Sequence, residues 1–149
     1  MSKSLYRHCY AALSLFAFAV IFSGFVWATA SVTAEDGNEF MATPSGLKYK
    51  ILRKGSGPKP KATDTVTVNY RGWLDNGKEF DSSYKRGKPL SFALNRVIPG
   101  WTEGMQLVGK GGMIELEIPP ELGYGARGAG SDIPPNSRLH FTVELIDIK

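Results

Sequence analysis

The chain has 149 residues and a formal net charge of +4, with a single cysteine and two histidines. That length holds about one domain, and so few cysteines and histidines exclude a disulfide framework and Cys/His zinc clusters. The lysines and arginines are spread out, whereas nucleic-acid binding wants a dense basic patch with a reading element.

Lys3, Arg7 and His8 precede an apolar run from Ala11 to Trp27, and Ala28-Thr29-Ala30 follows with small residues. This layout predicts a secretory signal peptide over residues 1–30, cleaved before Ser31, and a periplasmic or secreted product. An uncleaved membrane anchor is the alternative, because the run is near the lower limit for a span. Cleavage removes Lys3 and Arg7 and no acid, lowering the net charge from +4 to +2. It also removes Cys9, and a thiol-free domain suits an oxidising compartment and rules out thiol catalysis. Residues 31–46 are polar and small and predict a flexible leader; the folded domain is expected over residues 47–149.

From Leu47 to Leu52 apolar and cationic residues alternate as in a strand, and Gly55 to Pro60 is a loop of turn formers. Thr65 to Trp73 alternates cleanly, with Val66, Val68 and Tyr70 on one face and Thr67, Asn69 and Arg71 on the other. Asn76-Gly77 then signals a hairpin whose return arm carries Phe80 and Asp81. Phe92 and Leu94 share a parity before Val97-Ile98-Pro99-Gly100-Trp101. Proline suits the first position of a helix, and Trp101, Gly104, Met105 and Val108 follow at helical spacing until Gly109-Lys110-Gly111-Gly112 stops the run. Ile114, Leu116 and Ile118 predict another strand, as do Leu139, Phe141, Val143 and Leu145. Several alternating strands with one short helix mean an α+β class with an antiparallel β-sheet.

The long segment between Ile118 and Arg138 embeds Tyr124 and Ile133 among glycines and prolines, which favours a functional loop. Within it Gly123 to Gly128 matches G-x-G-x-x-G, but Ser131-Asp132-Ile133-Pro134-Pro135 cannot supply the helix that would receive a pyrophosphate. His140 falls on the polar face of the last strand and predicts a solvated side chain. No partner histidine remains for a zinc site, and no G-x-S-x-G elbow for a serine nucleophile. The Lys54, Lys59, Lys61 and Lys85-Arg86-Lys88 groups predict solvated faces.

Val68-Asn69-Tyr70-Arg71-Gly72, Gly77 to Ser83, Val97 to Trp101, Tyr124-Gly125-Ala126 and Ile133-Pro134-Pro135-Asn136 together resemble the FKBP-type peptidyl-prolyl isomerases. The resemblance runs from about Leu47 to Lys149 and is nearest to the bacterial envelope branch. It implies an antiparallel sheet curled around one short helix, and acceleration of X-Pro isomerisation in exported proteins, with no cofactor or metal. It also implies an apolar pocket lined by Tyr70, Phe80, Val97, Ile98, Trp101, Tyr124 and Phe141, with Trp101 as its floor. Asp81 matches the pocket carboxylate and Arg86 its basic neighbour. The Ile98 N–H and the Tyr124 hydroxyl match groups that hold substrate carbonyls, so Asp81, Tyr124, Ile98, Phe80 and Phe141 are the implied catalytic set. Tyr70, Arg86, Leu90, Val97, Trp101 and Ile133 are the implied substrate-binding set. Leu90 stands where phenylalanine is common and Ala129 where a larger residue is common, and both are expected to widen one wall.

The implied partners are proline-containing polypeptides and macrolides of the rapamycin type. Larger members of the envelope branch carry an N-terminal helical dimerisation module; none is read here, so a monomer is expected. Taken singly, Tyr70, Phe80, Trp101 and Phe141 also read as ordinary core, and Asp81 as a turn residue before Ser82-Ser83. A proline-binding chaperone, or a ligand-binding module with little isomerase activity, is the alternative reading of the same pocket.

Overall fold

A computed structural model describes residues 39–149. The expected signal segment, and the leader as far as residue 38, lie outside the described residues.

The alternating stretches become the strands of one antiparallel sheet. These are β1 (Met41–Ala42), β2 (Lys48–Arg53), β3 (Thr65–Leu74), β4 (Glu79–Ser82), β5 (Leu90–Ala93), β6 (Met113–Ile118) and β7 (Leu139–Ile148). Their spatial order is β1-β2-β6-β7-β3-β4, and β5 also pairs with β3. The two longest strands, β3 and β7, lie side by side with Tyr70 opposite Val143 and Gly72 opposite Phe141. Because successive side chains on a strand point to opposite faces, Val66, Val68, Ile114, Leu116, Ile118, Leu139, Val143 and Leu145 all turn inward and are fully buried. The architecture is the expected α+β arrangement of an antiparallel sheet and one short helix.

The helix α1 spans Pro99–Met105, with Pro99 in its first turn and Trp101 and Met105 buried. It ends earlier than the stripe through Val108 predicts, because Gln106 and Leu107 donate to Glu103 and Gly104, three residues back. Bonds of that span tighten the last turn instead of extending the helix. Val108 is still buried, in the segment that follows. Gly100 and Gly104 let α1 lie close against β6: a Cβ would come within 2.5 Å of Ile118 and 2.7 Å of Leu116.

Residues 39–46 differ from the expected flexible leader. Met41 and Ala42 pair with Tyr49 and Lys48, and the Thr43 N–H donates to the Leu47 carbonyl at 2.8 Å. Thr43-Pro44-Ser45-Gly46 is therefore a turn between two strands, the common use of such residues. The Ser45 hydroxyl also donates to the Glu103 carboxylate of α1 at 2.7 Å, and Leu47 is fully buried behind the turn.

The Asn76-Gly77 hairpin closes as predicted, with Leu74 and Lys78 bonded across it at 3.0 Å. Beyond it, β3 is paired along one side by two strands in succession, β4 opposite Arg71 to Trp73 and β5 opposite Thr65 to Val68. Ser83 fills the gap between them. The Tyr70 N–H donates to Ser83 Oγ at 2.8 Å, and the Ser83 N–H donates to the Tyr70 carbonyl at 2.9 Å.

Candidate active site

The inner face of the sheet, α1 and the loop between β6 and β7 enclose a cleft of about 600 Å³. From the sheet come Tyr70 on β3, Phe80 and Asp81 on β4, Phe92 on β5 and Phe141 on β7. Arg96, Val97, Ile98 and Trp101 come from the approach to α1 and its first turn, and Tyr124, Ala129, Asp132 and Ile133 from the loop.

Trp101 is the hub of the rings. Its centroid is 5.3 Å from Tyr70, 5.6 Å from Phe92 and 5.3 Å from Phe141, with interplanar angles of 88°, 82° and 82°. Phe80 meets Phe141 edge-on at 5.5 Å. Edge-to-face contacts of this kind place the positive rim of one ring on the negative face of another, so each ring fixes its neighbours' tilt. Tyr70 and Trp101 are each only 4% exposed. Phe80 and Phe141 reach each other across Gly72, where a Cβ would lie 2.6 Å from Phe141 and 2.7 Å from Phe80. The Trp101 indole N–H is buried with no acceptor among the described residues.

A polar triad flanks the rings. The Tyr70 hydroxyl donates to Asp81 Oδ2 at 2.5 Å, and Arg86 donates to Asp81 Oδ1 at 2.5 Å and to the Tyr70 oxygen at 2.6 Å. The Ser82 N–H adds a bond to Asp81 Oδ1 at 2.9 Å. Burial, helped by the Asp81 hydrogen bond and charge, pushes the Tyr70 hydroxyl pKa up to about 12. Burial would also raise Asp81, but the hydrogen bonds from Arg86 and Tyr70, the Arg86 charge and the Ser82 N–H hold its carboxyl below the usual value. At neutral pH the triad is a neutral phenol, a carboxylate and a guanidinium. Both oxygens of Asp81 are engaged, so it acts as a fixed charge and an anchor for Tyr70.

The opposite wall is loop. Tyr124 is 41% exposed, and its hydroxyl makes no hydrogen bond among the described residues. Its backbone is held firmly: the Gly128 N–H donates to the Tyr124 carbonyl at 3.2 Å, and Ala129 and Ile133 exchange two backbone bonds at 2.9 and 3.1 Å. Ile98, just before α1, likewise keeps an N–H that no backbone carbonyl among the described residues accepts, since the first N–H groups of a helix have no internal acceptor.

The cleft thus gathers Tyr70, Phe80, Asp81, Val97, Ile98, Trp101, Tyr124, Ile133 and Phe141 of the expected set. Arg86 does not line the cleft; it stays exposed beside Lys85 and Lys88 while its guanidinium bonds Asp81 and Tyr70. Leu90 is corrected: it packs against the core and does not line the cleft. It shares its face of β5 with Phe92, but pairs opposite Val68 where Phe92 pairs opposite Val66, and the ring that reaches Trp101 is Phe92. His140 is corrected too. Its ring stacks on Trp73 at 5.7 Å and bonds to Asp75 at 2.7 Å, leaving the side chain 16% exposed. Phe92, Arg96 and Asp132 are lining residues that the sequence reading missed. Only Phe92 carried a signal, its shared parity with Leu94.

Residues 57–146 match the family model of the FKBP-type peptidyl-prolyl cis-trans isomerases. A Haemophilus influenzae protein described as "Probable FKBP-type peptidyl-prolyl cis-trans isomerase" is 58% identical over 112 residues, covering 75% of this chain and 46% of that protein. The crystal structure of FkpA from Escherichia coli superposes with a TM-score of 0.73 at 55% identity, over 78% of this chain and 53% of that one. That of AtFKBP13 gives 0.70 at 43% identity, over 74% of this chain and 99% of the other. The chain spans about half the length of the first two relatives. The matched segment holds the whole aromatic cleft and its triad, and by this match the chain belongs to the FKBP-type peptidyl-prolyl cis-trans isomerase family.

Proposed function

We propose that the chain accelerates cis–trans isomerisation of X-Pro peptide bonds in exported polypeptides, with the aromatic cleft as its active site. The observation that carries this reading is a cleft whose base is hydrocarbon rings while two hydrogen-bonding groups at its border, the Tyr124 hydroxyl and the Ile98 N–H, have no partner among the described residues. Such a site buries a pyrrolidine ring and still grips the flanking carbonyls.

An amide resists rotation by ~18–20 kcal/mol, and free X-Pro bonds take tens to hundreds of seconds to turn. At the barrier top the amide is twisted and has lost much of its carbonyl dipole. Water stabilises the planar, more polar ground state better, so a dry cradle of Tyr70, Phe80, Phe92, Trp101 and Phe141 favours the twisted state differentially. Each tenfold in rate needs ~1.4 kcal/mol of that difference. Carbonyls held by Tyr124 and Ile98 fix the chain on both sides of the rotating bond. Asp81 and Arg86 keep the Tyr70 ring set against Trp101. No bond is made or broken, and no proton has to move.

The N-terminal basic flank, apolar run and Ala28-Thr29-Ala30 support export with cleavage before Ser31 and action in the periplasm or outside the cell. Residues 41–149 serve as the isomerase domain. A rapamycin-type macrolide, being bulky and largely apolar, is proposed to compete for the same cleft.

The test is refolding of a protein whose slow phase is limited by proline. Wild type is expected to shorten that phase, and Phe141→Ala to lose most of the effect. A slow phase unchanged by wild type would leave proline binding without catalysis.

A further inference from the structure

We infer that Arg96 makes the cleft selective for prolyl segments bearing an acidic residue next to the proline. This deepens the isomerase reading and rests on it.

Three charged side chains line the cleft: Asp81, Arg96 and Asp132. Asp81 is neutralised by Arg86 at 2.5 Å, and Asp132 by Lys78 at 3.1 Å. Arg96 has no acidic partner within salt-bridge distance among the described residues, and the residue is exposed. After this pairing the lining carries one uncompensated positive charge, on the border formed by Val97 and Ile98.

The position of that charge gives it a substrate to act on. Arg96 ends the 3₁₀ turn Leu94–Arg96, two residues before Ile98. A peptide whose carbonyl meets the Ile98 N–H therefore runs past Arg96, with the side chains flanking its proline closest to the guanidinium. The apolar floor beneath favours the proline and repels charge, so a carboxylate on a neighbouring residue turns outward to the rim. There a guanidinium offers up to five donors in a fork that matches a carboxylate. A lysine at the same place would meet an unpaired like charge, which is the repulsive half of a specificity.

Because Arg96 is exposed, the preference is modest and screened by salt. The experiment uses proline peptides in two series, with Glu, Gln or Lys immediately before or immediately after the proline, and compares kcat/KM for wild type, Arg96→Gln and Arg96→Glu. In at least one series wild type is expected to favour Glu over Gln by about three- to fivefold. That ratio should fall to about one in Arg96→Gln and give way to a preference for Lys in Arg96→Glu, and it should shrink as salt is raised to about 1 M. A wild-type ratio near one in both series overturns the inference and leaves the isomerase reading intact. So does a Glu preference that survives in Arg96→Gln. No acceleration of any peptide would remove the isomerase reading, and this preference with it.

Discussion

The two sides of the cleft are built by opposite means. On the side formed by the sheet and α1, Tyr70, Trp101 and Phe141 are buried, locked ring against ring, and tied to the Asp81–Arg86 pair. On the loop side, Tyr124 and Asp132 stand exposed, and order comes from backbone bonds such as the Ala129–Ile133 exchange. One side is held by ring packing; the other is held by backbone bonds and the buried Ile133, with Tyr124 and Asp132 turned out. The first is a buried surface of packed rings, and the second presents exposed groups to the cleft. Burial and ring packing are thus concentrated in one wall, while exposed polar groups lie on the loop and on the approach to α1.

The sharpest way to break that division is Trp101→Ala. Removing the shared neighbour of three rings should cost ~3–5 kcal/mol, read as a lower urea midpoint, and should abolish catalysis as well. If stability held and only activity fell, the indole would be a ligand contact alone and not also the keystone of the rigid wall.

Asp81→Asn probes the same wall more gently. Its carboxylate and Arg86 are each 39% exposed, so the loss is discounted for solvent to ~1–2 kcal/mol. The folded-state pKa of Asp81 lies below its unfolded value of ~3.9. Its contribution is therefore present above about pH 4 and is lost as pH falls through the folded value, and the variant should lack that acid-dependent part. Tyr70 has the opposite sign. Raised to about 12, it adds stability that is complete below ~10 and disappears as pH climbs towards 12. In the variant its titration, followed by tyrosinate absorbance, should move down towards 10 and stop short of it, because burial remains.

Tyr124→Phe tests the loop wall and should have the smallest effect on stability, within ~0.5 kcal/mol. Loss of one hydrogen bond to substrate, worth ~0.5–1.5 kcal/mol, should still lower kcat/KM about two- to tenfold. A large fall in stability would mean that the loop side is as interlocked as the sheet side.

The same contrast governs what the sequence made legible. Strand alternation put Tyr70 and Phe141 on the buried face and His140 on the outer one, because the period of two is a property of the strand itself. It could not say how far along a strand a residue sits relative to the cleft. Leu90 is assigned to the pocket by family resemblance, and the register against Val68 and Val66 separates it from Phe92. His140 was expected to be solvated for a related reason: its neighbour Trp73 lies opposite on β3, and cross-strand partners are not written in either strand. Arg96 and Asp132 lie in a single 3₁₀ turn and a loop, where no period exists to read. Family resemblance paired Asp81 with Arg86, but the Tyr70 hydroxyl that joins them is seen only in the structure, since Tyr70 and Arg86 are sixteen positions apart in the chain.

The relay of Ser83 between β4 and β5 has a bearing on aggregation. A long strand such as β3, bare along one side, would offer a row of unpaired N–H and C=O groups to any extended chain. Here that row is covered by two four-residue strands, and the serine answers for Tyr70 in the interval. The outermost edges left on this flank are short and interrupted, and give little purchase for an added strand. A sheet closed in this way resists being extended by the backbone of another chain.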